Sequence, residues 1–196
     1  MIEIVPYKES WPNEFAIIGA FIRNALGNCA VRIDYIGSTS VSGLPSKDII
    51  DVQVTVQSFE PFIPIQEALE SIGYIFRIGT TSDHRPSDHT LAGTHSFDPD
   101  WEKRYFKSSP DHRRTNLHVR ATGRANQRYA LLFRDFLRRH PESAAFYAEI
   151  KRSLVKYHAD DTVAYVTIKD PVCDLIMSAA EKWASATNWQ PGSTDA

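Results

Sequence analysis

Apolar positions change period along the chain, and each change marks an element. Phe15, Ile18, Phe21, Ile22, Ala25 and Leu26 recur at helical spacing. Ser10 as N-cap and Pro12 in the first turn predict a helix that ends at Gly27. Val31 to Ile36 reads as a strand with Val31, Ile33 and Tyr35 on one face, and Ile49 to Val56, rich in β-branched residues, as a second. Pro61 and Pro64 open a helix carrying Ile65, Ala68, Leu69 and Ile72, which Gly73 closes. Tyr74, Phe76 and Ile78 predict the next strand. Residues 79–112 are dense in turn formers, including Gly79, Pro86, Gly93, Pro99 and Pro110, and predict a long surface loop interrupted by short edge strands. Thr115 to Ala121 is a strand with Leu117 and Val119 facing one way and Asn116, His118 and Arg120 the other.

From Arg124 the period is helical. Tyr129, Leu132, Phe133, Phe136 and Leu137 form one stripe, and Pro141 starts a second helix through Ala145, Phe146, Ala148, Ile150 and Leu154. Asp170 and Pro171 read as N-cap and first residue of a last helix, with Val172, Leu175, Ile176, Ala179 and Trp183. The sequence from about Ser185 turns polar and predicts a disordered tail over 185–196. The fold class expected is α+β: a mixed-sheet core over 1–122 with C-terminal helices over 123–184 packed on it.

Composition narrows this little. A chain of 196 residues with 42% hydrophobic residues has enough apolar side chains for a sizeable core. Cys29 and Cys173 are too few and too far apart for a disulfide framework and read as core thiols of a reducing cytoplasm. Met1 to Pro6 has neither the basic start nor the apolar run of a signal peptide, and no stretch reaches the about 20 apolar residues of a membrane span. The expected location is cytoplasmic.

Charge is uneven. Residues 1–100 hold 6 Lys and Arg against 13 Asp and Glu, and residues 101–196 hold 16 against 11. Residues 103–139 alone carry 11 basic side chains against Asp111 and Asp135. That block suits nucleotide phosphates or an RNA backbone, with Arg120, Arg124 and Arg128 at a spacing of four as the phosphate contacts; solvated helix faces are the plainer reading.

The candidate chemistry lies between the first two strands. Gly37 allows close backbone approach, and Ser38, Thr39 and Ser40 can cap a short helix whose free N–H groups suit an anion. Asp51 and Gln53, two apart on a strand, leave the same face. A Gly-Ser turn for a phosphate tail and a carboxylate on the next strand for a divalent cation are what phosphate chemistry needs; a polar loop between core strands is the bland alternative.

The run Ile36-Gly37-Ser38-Thr39-Ser40-Val41-Ser42-Gly43-Leu44, followed by Lys47-Asp48-Ile49-Ile50-Asp51, resembles the signature of the GrpB family, a branch of the nucleotidyltransferase superfamily. Ile4-Val5-Pro6-Tyr7 with Trp11, Asn116-Leu117-His118-Val119, and Phe133 to Arg138 with His140-Pro141-Glu142 continue the likeness, as do Tyr147, Lys151 and Leu154. It covers about residue 3 to about residue 180. The resemblance implies a nucleoside triphosphate bound through Gly37, Ser38, Thr39 and Ser40, with Lys47, Arg120 and Arg124 against phosphate charge. It also implies Mg²⁺ at Asp51 with help from Gln53, and His118 as base or further ligand. The chain departs from the family at Asp48, where Pro is usual, and at Gln53, where a second acid is usual; an amide oxygen is a weaker ligand for a hard cation than a carboxylate. A nucleotide- or RNA-binding module without metal chemistry is therefore the alternative function. His84, His89, His95 and His112, with Asp83, Asp88, Asp98 and Asp100 among them, add a possible transition-metal site whose spacing matches no known cage.

Overall fold

The computed structural model describes residues 1–86 and 97–196. Among these residues the α-helices and strands follow in the order α1 (Trp11–Leu26), β1 (Ala30–Ile36), β2 (Ile50–Val56), α2 (Ile63–Ser71), β3 (Tyr74–Phe76), β4 (Arg104–Ser108), β5 (Thr115–Ala121), α3 (Ala125–Arg139), α4 (Pro141–His158) and α5 (Thr162–Thr187). The strands form one mixed sheet in the order β1-β2-β5-β4-β3. β2 and β5 run parallel, and the other neighbours pair antiparallel. The architecture is α+β, as expected.

The period-two pattern separates the sheet into two faces of opposite character. Ile33, Tyr35, Val52, Val54, Leu117, Val119 and Phe106 face α1 and α2, whose Trp11, Phe15, Ile22, Ile65 and Leu69 complete an apolar core. Phe15 stacks on Tyr35 with centroids 4.6 Å apart. The register places Asp34 beside Gln53, Ile36 beside Asp51, Asp51 beside Asn116 and Gln53 beside His118 on the opposite face. That face is polar. Helices α3, α4 and α5 stand over it with a core of their own, built from Leu132, Phe136, Leu137, Tyr147, Met177 and Ala180. Cavities lie between the polar sheet face and these helices, and the candidate site occupies them.

Several boundaries differ from the sequence reading for identifiable reasons. The β1–β2 register shifts between Ala30 and Arg32, which buries Ala30 and turns Val31 outward at 46% exposure, away from the Ile33–Tyr35 face. β3 stops at Phe76 and leaves Ile78 exposed. β4 is an interior strand between β5 and β3, not an edge. The last helix opens well before Asp170: the Asp161 carboxylate accepts from the Ala164 N–H at 2.9 Å, and the helix runs on through Pro171. Tyr165, Cys173, Met177, Ala180 and Ala184 keep one buried stripe across that proline, so packing carries the helix over the lost hydrogen bond.

The polar end of the chain, expected to be disordered, lies along β1. Thr194 Oγ1 accepts from the Ile33 N–H at 2.9 Å, and Asp195 Oδ2 accepts from the Tyr35 N–H at 2.9 Å and from Arg134 Nη1 at 2.7 Å. Main-chain groups of an edge strand are thereby covered. Among the described residues no helix is long and apolar enough to cross a membrane.

Candidate functional site

The turn after β1 is built for a close approach. Gly37 has φ 73° and ψ −177°, and a Cβ there would lie 2.4 Å from Asp51 Oδ2. Only glycine adopts this region freely and leaves Asp51 room. The following residues form one short helical turn, Ser38–Ser40. Thr39 and Ser40, expected as ligand contacts, face inward instead. Ser40 Oγ donates to the Gly37 carbonyl at 2.6 Å, Thr39 Oγ1 donates to the Ile49 carbonyl at 3.3 Å, and both residues are buried. They fix the turn, while Gly37 and Ser38 face the space beyond it.

That space is a cavity of about 430 Å³, with Gly37, Ser38 and Asp51 on the sheet side and Lys47, Lys151 and Lys169 around it. Lys169 pairs with Asp170 at 2.7 Å. The other two lysines have no carboxylate partner among the described residues. Lys47 Nζ lies 4.2 Å from the centroid of the Tyr165 ring, and the buried Lys151 donates only to the Pro45 carbonyl, at 2.6 Å. Burial lowers the pKa of both amines, that of Lys151 to about 7.

Asp51 and His118 stand on the same face of neighbouring strands, β2 pairing directly with β5. Asn116 Nδ2 donates to Asp51 Oδ1 at 2.9 Å, and His118 Nε2 is 3.9 Å from the same oxygen, an ion-pair rather than a hydrogen-bond distance. Burial, with Arg120 and Lys103 nearby, lowers the His118 pKa, so its imidazole is neutral at pH 7.

Gln53 is engaged away from any metal. Its Oε1 accepts from Arg120 Nη1 at 2.5 Å and its Nε2 donates to the Gln127 carbonyl at 3.1 Å, with the whole side chain buried. A guanidinium facing the amide oxygen repels a cation there, so the expectation of Gln53 as metal ligand is corrected. Arg120 in turn donates through Nε to Asp83 at 2.8 Å. Asp83 also receives Lys103 at 2.7 Å and Asn126 at 3.0 Å. Burial alone would raise its pKa, but Arg120 and Lys103 hold it far below the usual carboxylate range.

The basic block 103–139 is largely neutralised. Lys103, Arg104, Arg113, Arg120, Arg124, Arg128, Arg134 and Arg138 all lie in ion pairs. Arg120 lies on a strand and is spent on Gln53 and Asp83. Arg124 pairs with Asp100 at 3.2 Å, and Arg128 pairs with Glu181, so the three do not share a phosphate-binding face. Of the histidine-rich stretch, His89 and His95 lie outside the described residues; His84 is 3.0 Å from Asp174, and His112 sits against Ser109 and Gly73. No group of three or more His, Cys, Asp or Glu side chains gathers into a cation cage among the described residues.

Sequence reasoning placed Asp83 in a possible metal site and Lys103 in the basic block but not against Arg120, and it missed Asn126 and Lys169. Lys151 and Tyr147 entered only as resemblance; their spacing of four on a buried helix face was the available signal for a lysine turned inward.

The fold and site define a class: an α+β protein in which a strand, a Gly-Ser turn and a second strand present one carboxylate to a lysine-lined cavity. The chain belongs to the GrpB protein family, whose sequence profile matches residues 1–179. It is similar to the dephospho-CoA kinase of Mycobacterium tuberculosis, 35% identical over 96% of this chain and 48% of the relative. A UPF0157 protein of Halalkalibacterium halodurans is 33% identical over 91% of this chain and 82% of its own length. The crystal structure of the conserved protein GrpB from Enterococcus faecalis superposes with a TM-score of 0.70 at 25% identity, covering 96% of this chain and all of that one. The chain spans about half the length of the dephospho-CoA kinases it matches.

Proposed function

We propose that the chain binds a nucleoside triphosphate in the lysine-lined cavity and acts as a nucleotidyltransferase. The observation that carries this reading is the pair of lysines, Lys47 and Lys151, held around Gly37, Ser38 and Asp51 with no carboxylate partner among the described residues. Amines withdrawn from water cost free energy unless an anion meets them, and a polyphosphate is the anion a Gly-Ser turn accommodates.

The donor set fits one Mg²⁺ and not a cage. Asp51 is the acid that faces the cavity beside the turn; Mg²⁺ commonly takes one or two carboxylates and completes its shell with water and substrate phosphate. Bound there, the ion would screen phosphate charge. The rest falls to the protein's own side chains. Lys47, Lys151 and Lys169 hold the β- and γ-phosphates. Asn116 fixes the Asp51 carboxylate. His118, neutral at pH 7, takes the proton of an attacking hydroxyl through Nε2, the nitrogen nearer Asp51.

One observation favours a second reading. The Gln53–Arg120 pair occupies the position of a second acid, which suits a nucleotide-binding module without transfer. Titration calorimetry of Mg²⁺–ATP into the protein and into a Ser38→Ala, Lys47→Ala double variant tests the binding common to both. At least a tenfold loss in the variant is expected; equal affinity would sink it. Pyrophosphate release with bound nucleotide then separates transferase from module.

A further inference from the structure

A second chamber of about 230 Å³ adjoins the phosphate cavity. The two share Gly37, Asp51, His118, Phe133, Tyr147 and Lys169, so Asp51 and His118 stand in the wall between them. Their linings differ in kind. The phosphate cavity carries three lysines against Asp51. Among the described residues the second chamber carries Asp51, Asp83 and Asp170 with Arg120, Lys169 and His84; Asp83 pairs with Arg120 and with Lys103, Asp170 with Lys169, and His84 with Asp174. The chamber lining also holds four large aromatic side chains. Trp101, Tyr129, Phe133 and Tyr147 follow one another in ring contact, with successive centroids 5.8, 6.2 and 5.7 Å apart.

We propose that this second chamber takes the acceptor of the transfer reaction, and that the acceptor is a small cyclic or aromatic alcohol bearing an amine, not the 3′ end of a polynucleotide. The inference rests on the phosphate-site reading above. In phosphoryl-group displacement the attacking and leaving oxygens lie roughly in line through phosphorus. Pyrophosphate held by Lys47 and Lys151 leaves toward those lysines, so the nucleophile enters from the far side of Asp51 and His118, which is the second chamber. The acceptor oxygen forms the new bond to the α-phosphorus. The bond from that phosphorus to the bridging oxygen of the β-phosphate breaks, pyrophosphate carries the electron pair away, and the hydroxyl proton leaves by His118.

The lining selects the acceptor. Ring faces attract a flat molecule and a cation, not the anionic backbone of a polynucleotide. The volume lies below the roughly 300–1,000 Å³ of sites for drug-sized ligands, which suits a small molecule. Among the described residues, eight of the eleven basic side chains of 103–139 already lie in ion pairs.

The test uses tyramine, an aromatic amine-alcohol, and a six-nucleotide oligouridylate with a free 3′ hydroxyl. The protein is first saturated with Mg²⁺ and an ATP analogue carrying a methylene between the α- and β-phosphates, with its affinity measured by calorimetry. Saturation-transfer NMR should then show saturable tyramine binding. Ala130→Phe, which fills a chamber-lining position, and Trp101→Ala, which removes a ring, should each weaken tyramine at least tenfold while the analogue's affinity moves less than twofold. Failure of tyramine to bind, binding that survives both variants, or displacement of tyramine by the oligouridylate overturns the proposal. A tenfold loss of analogue affinity in either variant also overturns it, by assigning the chamber to the nucleotide. If the analogue itself fails to bind, the phosphate-site reading falls and the acceptor assignment with it; the first measurement separates that case.

Discussion

The Gln53 amide oxygen accepts a hydrogen bond from Arg120 Nη1 at 2.5 Å, and the same guanidinium donates to Asp83. A second metal-binding acid on β2 would have stood at this position. Here a neutral oxygen meets a cation whose charge Asp83 already balances. The three residues form one connected network, in which Gln53 accepts from the guanidinium without adding charge and Asp83 meets both Arg120 and Lys103.

This network decides what a restored acid would do. The family pattern at position 53 suggests that Gln53→Asp would strengthen Mg²⁺ binding. Arg120 stands within reach and would take the new carboxylate as a salt-bridge partner. The expected result is an Mg²⁺–ATP affinity within about twofold of the natural protein by calorimetry. Adding Arg120→Gln frees the carboxylate, and the double variant should bind Mg²⁺–ATP at least about tenfold more tightly, about 1.4 kcal/mol. A tenfold gain from Gln53→Asp alone would show that Arg120 does not hold position 53.

Asp51 makes the opposite prediction. It is the carboxylate beside the Gly37 turn, and Asn116 already donates to one of its oxygens. Asp51→Asn keeps the shape and removes the charge. In the natural protein, replacing EDTA with Mg²⁺ should raise ATP affinity about tenfold or more; in the variant the two conditions should give equal affinity. A metal effect that persists in Asp51→Asn would place the cation elsewhere.

The Gly37 backbone links stability to the site. At φ 73° and ψ −177° a side chain is strained by about 1–3 kcal/mol, and the added Cβ would meet Asp51 Oδ2 at 2.4 Å. Gly37→Ala should therefore lower the melting temperature by about 2–12 °C, since about 1 kcal/mol moves a domain of this size by about 2–4 °C. It should also weaken Mg²⁺–ATP by displacing Asp51. Calorimetric melting and nucleotide titration on the same sample check both, and an unchanged melt would mean that the turn relaxes without cost.

The parts of the fold legible in the sequence were those fixed by local period. Alternation in Ile50–Val56 and Thr115–Ala121 set Asp51 with Gln53 and His118 with Asn116 on the polar side of each strand, and the β2–β5 pairing brings those sides together. The lysines were not legible as a set. Lys47 comes from a loop, Lys151 from α4 and Lys169 from α5, and only helix packing over the polar face brings them together. The basic block misled for the same reason. Arg128 finds Glu181 and Arg134 finds Asp195 across more than fifty residues, and no local count of charge sees such partners. Pro171 misled in the other direction, since a strong local stop signal yielded to a buried stripe running through it.

Lys151 supplies the pH dependence. Its amine is buried, donates to the Pro45 carbonyl, and burial brings its pKa to about 7 from an ordinary value of 10.5. The folded protein without nucleotide thus binds fewer protons than the unfolded chain between those values, and this group contributes stability that increases as pH rises through that window. Phosphate reverses the local balance. An anion against the amine favours the charged form and raises its pKa, so binding at pH 8 takes up a proton. Nucleotide affinity should fall as pH climbs above about 7, by up to about tenfold per unit until the pKa of the complex is reached. Titrations at pH 8 in Tris and in HEPES, whose ionisation enthalpies differ, read the uptake directly as a difference in observed heat. Lys151→Arg keeps the charge at every pH in this range and should abolish that difference while retaining affinity. Equal heats in the two buffers for the natural protein would mean that no phosphate settles against Lys151. The triphosphate would then have to lie along Lys47 and Lys169 alone, on the Tyr165 side of the cavity.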